Sequence, residues 1–319
     1  MLGLHDLLQR NVALSKCGRD GFFDFPNDYG SPSYWTAYTA RARLRNLRLA
    51  ELGIPAGEAL DYARAIRIQR ALGEPDTYSH ERKRAGLNYS PLVLLEGREQ
   101  TDQAFGEISN CIRGLFSEPK YAVFVSTICD LIGDLLDNVW SHGKSTGFSM
   151  AQKWRDHQPG EFVFEFAVAD CGLGFLREVK RTSIQDIETD QAAIQWCIQR
   201  GHSTKMKSVS DWAQRLPQDI MNNPMPNVGH VVESDNHHLG LGLAKLVEGV
   251  ERFNGSLWLA SGASMLGIHP DKSHVYEELR IPWQGVAIAC RFESARVAEH
   301  LAARPRDEFE DILKSLIQS

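Results

Sequence analysis

From Phe162 the chain runs "FVFEFAVA", with Phe162, Phe164 and Phe166 on one side and Glu165 on the other, and then meets Asp170-Cys171-Gly172-Leu173-Gly174. Alternation at a period of two reads as a β-strand. One glycine at its end would be an ordinary turn. An acid followed by two glycines, two positions apart, marks a place where something comes close to the backbone. A fold for this chain must therefore contain a sheet with one strand end shaped for a close contact.

The flanking patterns supply partners for that strand. In "KYAVFVSTICDLIGDLLDNVWSH" the residues Ile128, Leu131, Ile132, Leu135 and Val139 recur at helical spacing. Leu243, Leu246, Val247, Val250 and Phe253 do the same, Asn254-Gly255 ends that helix, and "SLWLAS" follows as a strand. "YSPLVLLE" is strand-like, and "TDQAFGEISNCIRGLF" is helical with Thr101 or Asp102 as its cap. "HVYEELRIPWQGVAIACRF" reads as two strands joined near Pro282–Gln284. The expected class is α+β, a two-layer α/β sandwich with a mixed sheet and helices on one face. Residues 1–87 read differently, as a mainly helical N-terminal region. One helix there spans 31–53 and ends at Gly53, a second spans 57–73 and ends at Gly73, and a polar stretch follows. The division is then a domain at 88–293 and a helical C-terminal tail at 294–319.

Composition narrows the function classes. Apolar residues make up 43% of the 319 and charged residues 24%, enough for a full buried core. A net charge of −6 argues against nucleic acid or anionic membrane as the main partner. The six cysteines are scattered with no C-x-x-C pair, which reads as reduced, buried thiols of a cytoplasmic protein. The N-terminus lacks a signal-peptide pattern, and no apolar run is long enough to cross a membrane.

Three polar clusters carry chemistry. Asp134 and Asn138 lie one helical turn apart on one face, with Asp130 a turn further back. An Asn carbonyl is a hard oxygen ligand that Mg²⁺ accepts beside waters and phosphates, and a carboxylate one turn away can orient or deprotonate a water. Asp170, at the strand end, can accept from an exocyclic amine, with Gly172 and Gly174 leaving room for a flat ring. In "HHLGLGLAKLVEG", Gly240 and Gly242 directly precede a helix, where unobstructed amides bind phosphate. The chain has no G-x-x-x-x-G-K-[ST], which excludes a P-loop, and the glycines miss the dinucleotide-binding spacing.

The order of these clusters resembles the GHKL ATPase superfamily, which includes histidine-kinase catalytic domains, anti-sigma-factor kinases and gyrase-type ATPases. The resemblance spans roughly residues 88–293. It implies a Bergerat-type ATP-binding fold with ATP and Mg²⁺ as cofactors and 201–239 as an ATP lid. By resemblance Asn138 is the metal ligand, Asp134 the water-activating acid, and Asp170 the group that holds the adenine amine, with Gly172 and Gly174 admitting the ring. "NVWSHG" is most similar to the anti-sigma form, which places His142 beside the nucleotide. "RGHSTK" resembles the start of the lid and brings Thr204 into the site. Gly240, Gly242 and Leu243 match the second glycine box, and Gly285 matches the glycine of the last strand. The chain departs from the pattern with Asp134 where many members carry Glu, Ser141 where histidine kinases often carry a basic residue, and Val286 where Thr is common.

The function expected is an ATPase or protein kinase of the anti-sigma type acting on a protein partner. The alternatives are a nucleotide-gated interaction module with negligible catalysis and a histidine-kinase catalytic half acting in trans; homodimerisation is left open. His202, His230, His237 and His238 show no regular ligand spacing and read as solvated side chains.

Overall fold

The computed structural model describes residues 2–10, 30–143, 146–156, 158–182, 184, 186–202 and 242–303. At its centre is an α+β arrangement around five strands: β1 (Val93–Leu95), β2 (Gly147–Arg155), β3 (Phe162–Asp170), β4 (Ser256–Ile268) and β5 (His274–Glu293). They lie in the order β1-β2-β3-β5-β4. Every ladder is antiparallel, which corrects the expected mixed sheet. Two connections account for much of this. A turn with Gly160 at φ 86° closes β2 onto β3, and a turn between His269 and Ser273 closes β4 onto β5. Both are far too short for the crossover a parallel pair requires.

The two faces of β3 are both buried. Phe164, Phe166 and Val168 join a cluster with α4 (Arg98–Leu115), α5 (Ala122–Gly143), α8 (Gly242–Arg252) and α9 (Ser294–Ala302). Ala167, Ala169 and Cys171 join a second cluster with α1 (Pro32–Leu44), α2 (Glu58–Ala65) and α3 (Ile68–Ala71). Helices thus cover both sides of the sheet, not one. The N-terminal helices share a single apolar cluster with the strands, so they are part of the same packed unit. The reason is legible in α1, whose residues from Pro32 to Ala40 are all buried. Tyr34, Trp35, Ala37 and Tyr38 bring apolar bulk to this stretch, and the second sheet face is where it is buried. A smaller cluster around Val179, Ile187 and Ala193 joins α6 (Phe175–Arg181) to α7 (Asp190–Cys197).

Several boundaries differ from the expectation, each for a local reason. The helix predicted over 31–53 stops at Leu44, where Asn46 turns left-handed at φ 54°. The helix over 57–73 is broken at Arg67, also left-handed at φ 67°, although Gly73 does close it. α4 begins before the predicted caps, behind Gly97, and Thr101 Oγ1 donates to the Gly97 carbonyl at 3.0 Å. The segment read as two strands is one, β5. Register shifts beside Gly262, together with Gly285 at φ 94°, absorb Pro282–Gln284 within the strand. Of the five described cysteines, Cys111, Cys129, Cys171 and Cys290 are the buried free thiols expected, whereas Cys197 is free but only half-buried.

Glu165 joins the two layers. It is fully buried on the α1 side of the sheet. One carboxylate oxygen accepts from Ser31 Oγ at 2.7 Å and from the Ser33 amide at 3.0 Å, in the first turn of α1. The other accepts from Arg291 Nε at 2.9 Å and Nη2 at 2.7 Å. The Arg291 guanidinium lies between two indoles, 5.2 Å from the centre of Trp154 and 4.9 Å from that of Trp258. A buried charge is tolerated when it is paired and fully hydrogen-bonded, and removing one partner strands the other. Glu165→Ala is expected to cost about 3–5 kcal/mol in urea unfolding. Ser31→Ala, which removes one neutral donor, is expected to cost about 1 kcal/mol. A loss below about 1 kcal/mol for Glu165→Ala would show that the carboxylate is dispensable.

Candidate functional site

The end of β3 is held by three other elements. Asp170 is buried at the last position of the strand, opposite Gly147 in the ladder. Its Oδ1 accepts from the Gly172 amide at 2.7 Å, and its carbonyl accepts from Trp283 Nε1 at 3.2 Å. The Cys171 carbonyl accepts from Gln284 Nε2 at 3.2 Å, and the Cys171 thiol donates to the Ala40 carbonyl of α1 at 3.4 Å. Ser261 of β4 accepts from the Phe175 amide at 2.9 Å and so starts α6.

Two glycines are required by this packing. A Cβ on Gly285 would lie 2.4 Å from the Asp170 carbonyl oxygen and 2.5 Å from its Oδ1, and its φ of 94° already disfavours other residues. A Cβ on Gly174, at φ 75°, would lie 2.9 Å from Ser261 Oγ and 3.1 Å from the Gly285 carbonyl. Gly174 therefore has a reason to be glycine that is internal to the fold. Between the two glycines of the box, Leu173 is exposed.

Burial pushes the Asp170 carboxyl up to about 6, against the downward pull of the Gly172 and Val286 amides that hydrogen-bond to it. Near neutral pH the group is mainly a carboxylate in a dry setting, a strong acceptor for any donor that enters.

The second half of the site is the crossing of α5 and α8. A Cβ on Gly249 would lie 2.4 Å from Leu131 Cδ1, and one on Gly242 would lie 3.3 Å from Asn138 Nδ2. Both pairs are two helical turns apart, so the helices run antiparallel with backbone against side chain. Asn138 sits at the start of α8. One turn back, Asp134 Oδ2 is 3.9 Å from Lys245 Nζ, while Asp130 is exposed. The next residue, Val139, ties this crossing to the strand end. Its Cγ1 is 2.4 Å from where a Gly147 Cβ would stand, and Asp170 Cβ is 3.5 Å from the same point.

The structure thus brings Asp134, Asn138, Asp170, Gly172, Gly174, Gly242 and Leu243 to one end of the sheet. His142 lies in the last turn of α5, and its side chain is outside the described residues. Thr204, Gly240 and the 203–239 part of the expected lid also lie outside them. Sequence reasoning missed Ala40, Trp283, Gln284 and Ser261. Trp283 and Gln284 directly precede Gly285, but the expected break there hid them. Ala40 contributes a main-chain carbonyl, for which no sequence signal exists.

Among the described residues no group of three or more His, Cys, Asp and Glu side chains is placed to hold a metal, and no helix is long and apolar enough to cross a membrane. No protein-family model matches this chain, and no curated protein or solved structure does.

The raised Asp170 carboxyl sets a pH dependence. Folded, it titrates near 6; its ordinary value is 3.8. Between those values the folded state keeps a proton that the unfolded state gives up. Its contribution to stability is therefore complete below about pH 4 and is lost as pH rises through 6. Asp170→Asn, which keeps the acceptor for Gly172, is expected to gain roughly 1–3 kcal/mol relative to wild type between pH 4 and pH 7. Urea denaturation of both proteins at the two pH values measures this, and parallel curves would contradict it.

Proposed function

We propose that this protein binds Mg-ATP in the manner of a GHKL-type domain and uses the bound nucleotide in its dealings with a protein partner. The observation that carries the reading is the meeting of Asn138, the start of α8 and the buried Asp170 at one end of the sheet, from three segments far apart in sequence. Asp170 would accept from the adenine amine. Gly240, Gly242 and Leu243 would present the start of α8 to the phosphates. Asn138 would hold Mg²⁺ through its side-chain oxygen, and the ion would offset the charge of the triphosphate. The residues fit such a group: a hard oxygen donor, a helix start with a glycine at the closest approach, and the Lys245 ammonium nearby.

Turnover divides the reading in two. In an ATPase or a protein kinase of the anti-sigma type, Asp134 would act as general base. The closeness of Lys245 favours a second outcome, an interaction module with negligible catalysis. The Lys245 ammonium, 3.9 Å from Asp134 Oδ2, stands where a water would have to meet that oxygen, and Asp is one methylene shorter than the Glu common at this place. The lid expected over 201–239 and the partner belong to the proposal in either case.

Selectivity tests the Asp170 role. A carboxylate accepts from the adenine amine but faces an acceptor oxygen in guanine. Mg-ATP is expected to bind about 10–100-fold more tightly than Mg-GTP by calorimetry, the equivalent of roughly 1–3 kcal/mol. Equal affinities would remove this assignment.

The α5 residues divide the remaining labour. Asn138→Ala should weaken Mg-ATP markedly and magnesium-free ATP much less. Asp134→Asn should leave binding intact and lower any phosphate release by about 10²–10⁴-fold. Hydrolysis that survives Asp134→Asn would place the base elsewhere, and its absence in wild type would favour the interaction module.

A further inference from the structure

Beyond the residues matched to any ATP-binding pattern, the base end of the site is held by two groups of quite different origin. Trp283 is almost fully buried, and its indole N–H donates to the Asp170 carbonyl at 3.2 Å. Over the same indole lies Arg41 of α1, with its guanidinium carbon 5.0 Å from the ring centre. Arg41 Nη2 also donates to the carbonyl of Pro282, the residue before Trp283, at 2.6 Å. The neighbouring α1 residue, Ala40, accepts the Cys171 thiol. Helix α1 therefore grips the Asp170–Gly172 turn twice, through Trp283 and through Cys171. Burial lowers the pKa of Arg41 and raises that of the Cys171 thiol to about 12, so the thiol stays protonated and able to donate.

We propose that Trp283 is a positioning residue for base recognition and that Arg41 sets its indole, making α1 part of the specificity apparatus of the nucleotide site. The proposal rests on the Mg-ATP reading for its ligand and not for its geometry. The carbonyl and the carboxylate of Asp170 belong to one residue. Fixing the carbonyl fixes the direction in which the side chain leaves the strand, and thus the place where an amine can meet it. Gly285 lets Trp283 approach, because any Cβ there would strike Asp170 itself. Release of the indole N–H would let the turn relax and the carboxylate wander, so adenine and guanine would be told apart less well.

Trp283→Phe removes the donor and keeps an aromatic ring for Arg41. In the nucleotide-free protein the amides of Gly172 and Val286, both bonded to the Asp170 carboxylate, should exchange hydrogen faster by roughly 3–10-fold, the worth of one hydrogen bond. Amides of α4 serve as the control. Faster exchange at the turn with α4 unchanged supports the proposal, and unchanged exchange at Gly172 and Val286 overturns it. If α4 quickens as well, Arg41→Met makes the same comparison with the indole still present, and its turn amides decide in the same two ways. The nucleotide arm measures Mg-ATP, Mg-GTP and tripolyphosphate. The ATP-to-GTP affinity ratio should fall about 3–10-fold in Trp283→Phe with tripolyphosphate affinity unchanged. A preserved ratio rejects the specificity role. A wild type without preference for ATP defeats the earlier assignment of Asp170, and the exchange result still decides whether Trp283 positions the turn.

Discussion

Glu165 lies in the middle of the sheet with no access to solvent, and a lone carboxylate there would carry a large desolvation cost. One oxygen is used by the first turn of α1 and the other by Arg291. The first turn of a helix has amides without partners, and a negative charge is favoured there. α1 is buried from Pro32 to Ala40, its Ser33, Thr36 and Thr39 hydroxyls included. The carboxylate gives it a fixed point on the sheet and satisfies an amide that would otherwise be orphaned. Arg291 packs over the rings of both Trp154 and Trp258, so the three strands that carry these groups are also tied together.

From that anchor, order passes along α1 to the end of β3. The helix starts at Glu165 and reaches the Asp170 turn at Ala40 and Arg41. The N-terminal part of the chain is thus a third layer of the molecule, and it holds the glycine box from behind. On the other face, α5 and α8 approach from the opposite direction. The candidate site is formed where the two layers meet around the end of one strand.

Much of this was legible in the residues. The phenylalanine alternation located β3, and helical spacing located α5 and α8, because one face of each is apolar and the pattern survives. The box order brought Asp134, Asn138, Asp170 and Gly242 together before any geometry was available. Illegible were the features that depend on two segments at once. Nothing in "SPSYWTAYTARARL" says which surface will cover a helix that is buried all round. The pattern put Glu165 on the side of the strand opposite the phenylalanines and said no more, because alternation records which residues differ, not whether the second face is also covered. Arg67 and Asn46 broke predicted helices by turning left-handed, a conformation that ordinary propensities assign to glycine. Gly285 was matched to a pattern, but its role came from Asp170, more than a hundred residues away in the chain.

The glycines of α8 carry a wider lesson. By helix propensity alone, Gly249 is a poor choice, since alanine would be favoured by about 1 kcal/mol at an interior position; Gly242 opens the helix. Here each occupies a point where α5 comes within the reach of a single methyl group. Immediately after α8, Gly255 does the same against the ring of Phe292. α8 is therefore seated at two points along its length, and the chain just beyond it at a third, with no side chain to act as a spacer. Such a helix has little freedom to roll or slide without lifting off its neighbours altogether. An engineer who idealised it for local stability would lose its seating, and a homologue-like redesign that kept every polar residue of the site would still separate Asn138 from the helix start that faces it.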